Sequence, residues 1–419
     1  MAWGFVTKYI SKMKMELNMK KKQLNIKLII SFTFLYIAYN SNVISAVTER
    51  KVISHVFLLI GLTMYLICLI LFKQLEINKK DLLKFIYVIG IFIVYLLINL
   101  FLKSFSNYEG WIKSIEFILV CITILLILMS NLNSKNIIIF ARVFLTLNII
   151  MFTILIIRYY DEWIYRMLVG WRISTKSITS IWLGRFFAEI AVLSLMCFNN
   201  KIVKTIVNII MFLLIIGTGS KGVIIGLIIV YLILMVKKIK SLLKNKNSIE
   251  IKSIIKNSII LTLIILSVTI FILIKYVPVE FIKERLLSES SYGGAGRVSL
   301  YSKAIELFMQ NVFLGCGIGN YFYQYAEFTF TYPHNIILEF MCELGIIGFM
   351  FFALFIYYVI KNILEKYKNS NISILIMLFI MYLLNAMLSG NNVLDNFQFY
   401  ILGTMIIKYS AIGCEQEHM

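Results

Sequence analysis

Apolar runs of about 20 residues recur from one end of the chain to the other, broken by short polar stretches rich in Lys and Asn. A helix of that length covers the roughly 30 Å of a bilayer's hydrocarbon core and satisfies its own backbone there. The pattern predicts spans at residues 26–46, 52–72, 82–102, 112–130, 136–157, 178–198, 203–218, 222–236, 257–277, 335–360, 372–389 and 397–413. The fold class expected is therefore an all-α polytopic membrane protein of about 12 transmembrane helices. The spans are evenly spread and no polar block is large enough for a separate domain, so residues 1–419 read as one membrane domain. One interruption stands out, the segment 278–334 before the tenth span.

Composition supports this and adds orientation. Hydrophobic residues make up 60% of the chain, more than a soluble fold of 419 residues can hide. The net charge of +20 would suit a nucleic-acid binder, but the lysines sit in clusters between the spans, where the positive-inside rule wants them. Residues 1–27 carry seven lysines and one acid ahead of a first span expected to be retained. If that end is cytoplasmic, alternation puts Lys79–Lys80, Lys201–Lys204, the seven lysines of 237–256 and Lys361–Lys368 on the same side. Both termini are then cytoplasmic in the cell membrane, and no nucleic-acid partner is expected. Of six cysteines, Cys68, Cys121, Cys197, Cys342 and Cys414 lie in or beside apolar runs and Cys316 sits alone in the long segment. That distribution shows neither a disulfide framework nor a metal-ligand spacing.

The same alternation places 158–177, the turn Gly217-Thr218-Gly219-Ser220-Lys221 and the loop 278–334 outside. These pieces hold Arg158, Arg166, Arg172, Lys176, Lys221, Lys283, Arg285 and Arg297, cations that topology gives no reason to keep there. Singly they read as solvated or snorkelling charges; together they suggest an outward basic pocket.

Within the loop, Leu300, Ala304, Leu307 and Phe308 fall at helical spacing, which predicts an amphipathic helix over 298–310 lying on the membrane face. Arg297 would stand at its start behind Gly293, Gly294 and Gly296. Turned amides, a helix N-terminus and a guanidinium together suit a phosphate, whereas the plainer reading is a flexible loop ended by an arginine. Gly315-Cys-Gly-Ile-Gly-Asn320 has the glycines of a dinucleotide fingerprint but not the strand and crossover helix that motif requires; it reads as a tight turn that lets two helices pack closely. The loop closes on Thr331-Tyr-Pro-His334-Asn335. Pro333 fits the first turn of a helix, which puts His334 at the outer N-terminus of the tenth span, where the dipole favours a neutral, proton-accepting ring. A lone interfacial histidine can equally be structural.

Glu339 and Glu343 follow four residues apart on one face of that span, at a depth where each needs a cation or a wet cavity. Glu339 is the candidate for orienting His334. Arg185 and Glu189 repeat the spacing in the sixth span and could pair with each other; Arg142 and Glu116 are further intramembrane charges.

A Gly-Ser-Lys turn at a span boundary, Gly-Arg before an amphipathic helix, a Gly-Cys-Gly-Ile-Gly-Asn turn, His-Asn-Ile-Ile-Leu-Glu, and then Glu-Leu-Gly-Ile-Ile-Gly occur here in that order. The succession resembles the O-antigen ligase and Wzy-type polysaccharide polymerase family over about residues 170–360. The resemblance implies a metal-independent inverting glycosyltransferase without cofactor, working on undecaprenyl-pyrophosphate-linked glycans at the outer face of the membrane. It implies His334 as general base, Arg297 and Arg172 as contacts to the pyrophosphate, and Lys221 where the family often has arginine. Asn335, Glu339 and Arg185 complete the expected substrate-binding set. Polymerisation of repeat units for capsule, exopolysaccharide or O-antigen is the expected outcome, with membrane lipids, a flippase and a chain-length regulator as expected partners. Ligase-type transfer to another acceptor, and a flippase or other transporter using the mid-membrane charges, remain open at this level.

Overall fold

A computed structural model describes residues 23–48, 53–75, 79–131, 134–169, 171–175, 178–244, 294–321, 332–366, 372–389, 393 and 396–413. These residues form helices α1 (Gln23–Tyr39), α2 (Ser41–Thr48), α3 (Ile53–Leu71), α4 (Lys79–Asn99), α5 (Tyr108–Met129), α6 (Ser134–Leu168), α7 (Ser180–Cys197), α8 (Lys201–Thr218), α9 (Lys221–Lys244), α10 (Gly294–Gln310), α11 (Ile336–Lys366), α12 (Ile372–Leu388) and α13 (Phe397–Gly413). A π-helical turn, Leu100–Ser104, extends α4. The one β-type pairing among them is the antiparallel bridge Leu75–Ser130. Six of the helices are long and apolar enough to cross a membrane, and α1, α3 and α12 are shorter apolar ones. The elements of the described residues are thus helical apart from that bridge, and their long apolar helices are those of a membrane protein. The expected ninth span, 257–277, lies outside the described residues.

The helices run further than the apolar runs. α6 continues to Leu168 and α9 to Lys244, past the limits set by hydropathy, because leaving hydrocarbon does not end a helix. In α6 the added turns carry the ion pair Arg166–Glu162, 2.7 Å apart one turn along.

Which helices sit centrally follows from what surrounds them. α7 and α12 are buried nearly all round, with Leu183, Phe187, Ala191, Leu375, Met381 and Ala386 closed off. α3, α4 and α6 instead leave Ile60, Ile91 and Ile157 exposed on an apolar outer face, the face a bilayer would cover. α12 lies antiparallel to α9: Gly222 faces Leu388, Gly226 faces Met381, and Lys237 donates to Ser373 Oγ at 2.5 Å. α11 and α12 are joined by only five residues, 367–371, so α12 turns back along α11. The starts of α9 and α11 and the end of α12 therefore share one end of the bundle. The candidate site is there.

Candidate functional site

The α8–α9 turn organises this end. α8 stops because Gly219 takes a left-handed conformation, φ 63°, and its N–H returns to Ile216 O. Ser220 Oγ donates to Ser180 O at 3.1 Å, which ties the turn to the start of α7. A side chain at Gly184 would meet Thr218 and Ser220 at about 3 Å, so that contact is as close as a glycine permits. On the far side of the turn, Ile173 N donates to Gly217 O at 3.0 Å. That backbone bond docks the loop 171–175, which carries exposed Arg172, on the turn that leads into exposed Lys221. The loop is braced from α6 as well: Arg166 reaches Ser174 Oγ at 3.1 Å, and the Trp163 indole donates to Ser174 O at 3.2 Å.

Arg185 lies one turn into α7 and is buried. Its guanidinium donates to Ser389 O at 2.9 Å and Ser389 Oγ at 3.1 Å, at the end of α12, and lies 5.2 Å over the Trp182 ring. Glu189 looks the other way. It accepts from Asn148 Nδ2 at 2.8 Å and from the Tyr382 hydroxyl at 2.6 Å. The two residues serve α7's packing against α12 and α6. Glu116 meets His55 Nε2 at 3.1 Å, joining α3 to α5. The intramembrane acids thus sit at helix contacts.

α10 extends from Gly294 to Gln310, so Gly294 and Gly296 belong to its first turn and Arg297 is exposed within that turn. Gly293 lies outside the described residues. Leu300, Ala304 and Leu307 form the buried face, packed with Cys316, Tyr321 and Cys342, with Leu338 against them. Beyond the end of α10, Val312 O accepts from Ile346 N. α10 therefore runs alongside the first part of α11, and both starts point the same way. Arg297 is carried toward the end at which His334 precedes α11.

His334 is placed differently from the sequence expectation. α11 begins at Ile336, and Asn335 caps it by accepting from Ile337 N at 3.0 Å and Leu338 N at 3.2 Å. Pro333 is outside the helix. His334 occupies the residue before the cap with φ 57°, a conformation uncommon for a side-chain-bearing residue and concentrated at functional sites. Its ring packs edge-on against Tyr332, centroids 4.5 Å apart. Asn335, expected among the substrate contacts, uses its side-chain oxygen for the cap.

α11 is broken at Gly345, φ 62° and ψ −165°. In an unbroken helix Ile346 N would donate to Cys342 O. Here it donates to Val312 O at 2.8 Å, while Cys342 O accepts from Cys316 N at 2.8 Å and Glu343 O from Gly317 N at 3.1 Å. The Tyr95 hydroxyl donates to Leu344 O. A Cβ on Gly315 would fall 2.4 Å from the Glu343 backbone, and one on Gly345 would fall 2.3 Å from Phe313 O. The turn's other edge is fixed by Asn99, which accepts from Ile318 N at 2.9 Å, and by Asn107, which donates to Gly319 O at 3.0 Å. The glycine-rich turn is the cap of a broken helix, packed against the α4–α5 hairpin. Burial pushes the Cys316 thiol up to about 12, so it packs there as a neutral thiol.

Both acids of α11 find one cation, Lys113 of α5. Its Nζ lies 2.7 Å from Glu339 Oε1, and 2.8 Å and 3.0 Å from the two oxygens of Glu343. All three side chains are buried. The sequence shows that Glu339 and Glu343 need a partner; the partner lies more than 200 positions away, and Lys113 reads there as one more lysine at a span's start. Glu339, expected to orient His334, is held to α5 by this lysine.

No curated protein matches the chain. Residues 206–353, from within α8 through the Lys221 turn, Arg297, the glycine turn, His334 and the Gly345 break, match the family model described as O-antigen ligase.

Proposed function

We propose that this protein is a polysaccharide polymerase that joins undecaprenyl-pyrophosphate-linked repeat units at the outer face of the cytoplasmic membrane. The observation that carries the reading is the docking of the Arg172 loop on the Lys221 turn, through Ile173 N and Gly217 O, at the end of the bundle where His334 precedes α11. Exposed cations thereby stand at the same end as a nitrogen base. Among the described residues neither Arg297 nor Lys221 meets a carboxylate, which suits groups meant for an outside anion.

The chemistry assigned to these groups is direct. The growing glycan is held by its lipid pyrophosphate against Arg297, Arg172 and Lys221. A hydroxyl of the incoming repeat unit attacks the anomeric carbon from the face opposite the leaving group, so the configuration inverts. The new C–O bond forms as the bond to the pyrophosphate breaks. The hydroxyl proton goes to His334, and the cations take up the charge building on the departing undecaprenyl pyrophosphate. Lys221 supplies a point charge where an arginine would add a bidentate fork. Arg185 acts by holding the end of α12 in place behind the turn. In this orientation both termini are cytoplasmic.

The family match favours one other reading, transfer of a finished glycan to a separate acceptor, since the matching model is that of O-antigen ligases. Purified protein given only the lipid-linked repeat unit decides. A ladder of products supports the polymerase; turnover only on adding a second acceptor supports the ligase; and no transfer to any glycan acceptor sinks both.

A further inference from the structure

We infer that Lys113 is a positioning residue for His334. The inference rests on the function proposed above and adds a residue from an element that lies outside the matched stretch, 206–353.

The helical segment Ile336–Leu344, which His334 precedes, is separated from the rest of α11 by the non-helical backbone of Gly345. Continuity of the helix does not fix its direction. Its terminal carbonyls are held by Cys316 N, Gly317 N and Tyr95, which secure the inner end near the break. Those bonds hold the nine-residue rod at its lower end. Further up, Phe340 packs against Phe117 of α5 and Leu338 against the α10 face, and the buried ion cluster adds a directional contact that apolar packing lacks. Lys113 meets Glu343 one residue from Leu344, and Glu339 a full turn further toward His334. Two anchor points on one rod define a line, where one would define only a hinge. His334 stands five residues beyond Glu339, directly before the Asn335 cap that starts the rod. A base has to lie within hydrogen-bond reach of the hydroxyl it deprotonates, and misplacement by about 1 Å can cost a hundredfold in rate.

Lys113 is closed off from solvent, so it acts through the rod and touches no substrate. Lys113→Met therefore lowers kcat by about 100-fold and leaves the donor KM within about threefold, because the pyrophosphate cations are untouched. Lys113→Arg keeps a cation in reach of both carboxylates and retains kcat to within about threefold of wild type, whereas Lys113→Glu, with three carboxylates together, does not. Each variant is measured as purified full-length protein with lipid-linked repeat unit, alongside its thermal midpoint in detergent and a His334→Ala control. Wild-type kcat in Lys113→Met overturns the inference, as does a Lys113→Arg variant that melts like wild type yet stays slow. The control separates two failures. If His334→Ala is fully active, the proposed function falls. If it is inactive while Lys113→Met is normal, only the role of Lys113 falls.

Discussion

Two sets of charges occupy the same end of this bundle and are treated in opposite ways. Lys113, Glu339 and Glu343 are buried, and the lysine is bonded to both acids at 2.7–3.0 Å. Arg172, Lys221 and Arg297 are exposed, carried on a docked loop, a turn and a helix's first turn. A buried charge must be matched within the protein, because desolvation costs several kcal/mol per ion. An exposed one pays no such cost and can wait for a ligand. Burial, more than residue type, separates the charges that build the site from those proposed to use it.

The sharpest way to break the comparison is to remove the proposed base. His334→Ala is expected to lower turnover on the order of 10²–10⁴-fold while the thermal midpoint stays near wild type, measured by product ladders and melting in detergent; an equal fall in both would make His334 structural. Lys113→Ala should lower stability as well as turnover, costing about 3–5 kcal/mol because two buried carboxylates lose their cation. Denaturant or thermal unfolding reads it, and a variant as stable as wild type would show that the buried cluster does not hold α5 to α11. Gly345→Ala tests the break itself: left-handed backbone plus a Cβ 2.3 Å from Phe313 O should cost at least about 1–3 kcal/mol. On the exposed side, Lys221→Ala should change stability by less than about 0.5 kcal/mol yet raise the donor KM about 10-fold, with Lys221→Arg retaining affinity. Smallest is Asn335→Ala, about 1 kcal/mol from a lost N-cap. If it abolished transfer without that loss, Asn335 would belong with the ligand contacts after all.

The expectations that concerned periodicity fared best, since periodicity is a local property. Eleven of the twelve apolar runs coincide with helices, the twelfth lying outside the described residues, and the predicted face Leu300, Ala304, Leu307 is the buried one. What needed a partner from elsewhere was less legible. Glu339 and Glu343 announce a missing cation, yet nothing near them in the chain names Lys113. Cys316, alone in its loop, turns out to lie against Cys342, its N–H on the Cys342 carbonyl. Pro333 suits a helix's first turn and so suggests His334 inside the helix, but Asn335 is the better cap and leaves His334 before it.

By itself, then, the sequence determined that this chain is helical, that it belongs in a membrane, which loop is unusual and which motifs carry the O-antigen ligase likeness. Each of these is written in spacing and composition within a few dozen residues. Only the tertiary structure decided that the Arg172 loop docks on the turn before Lys221, that the glycine turn caps a broken helix, and that one lysine of α5 holds both acids of α11. Those facts depend on distances between residues that the chain keeps far apart, and such distances are set by packing.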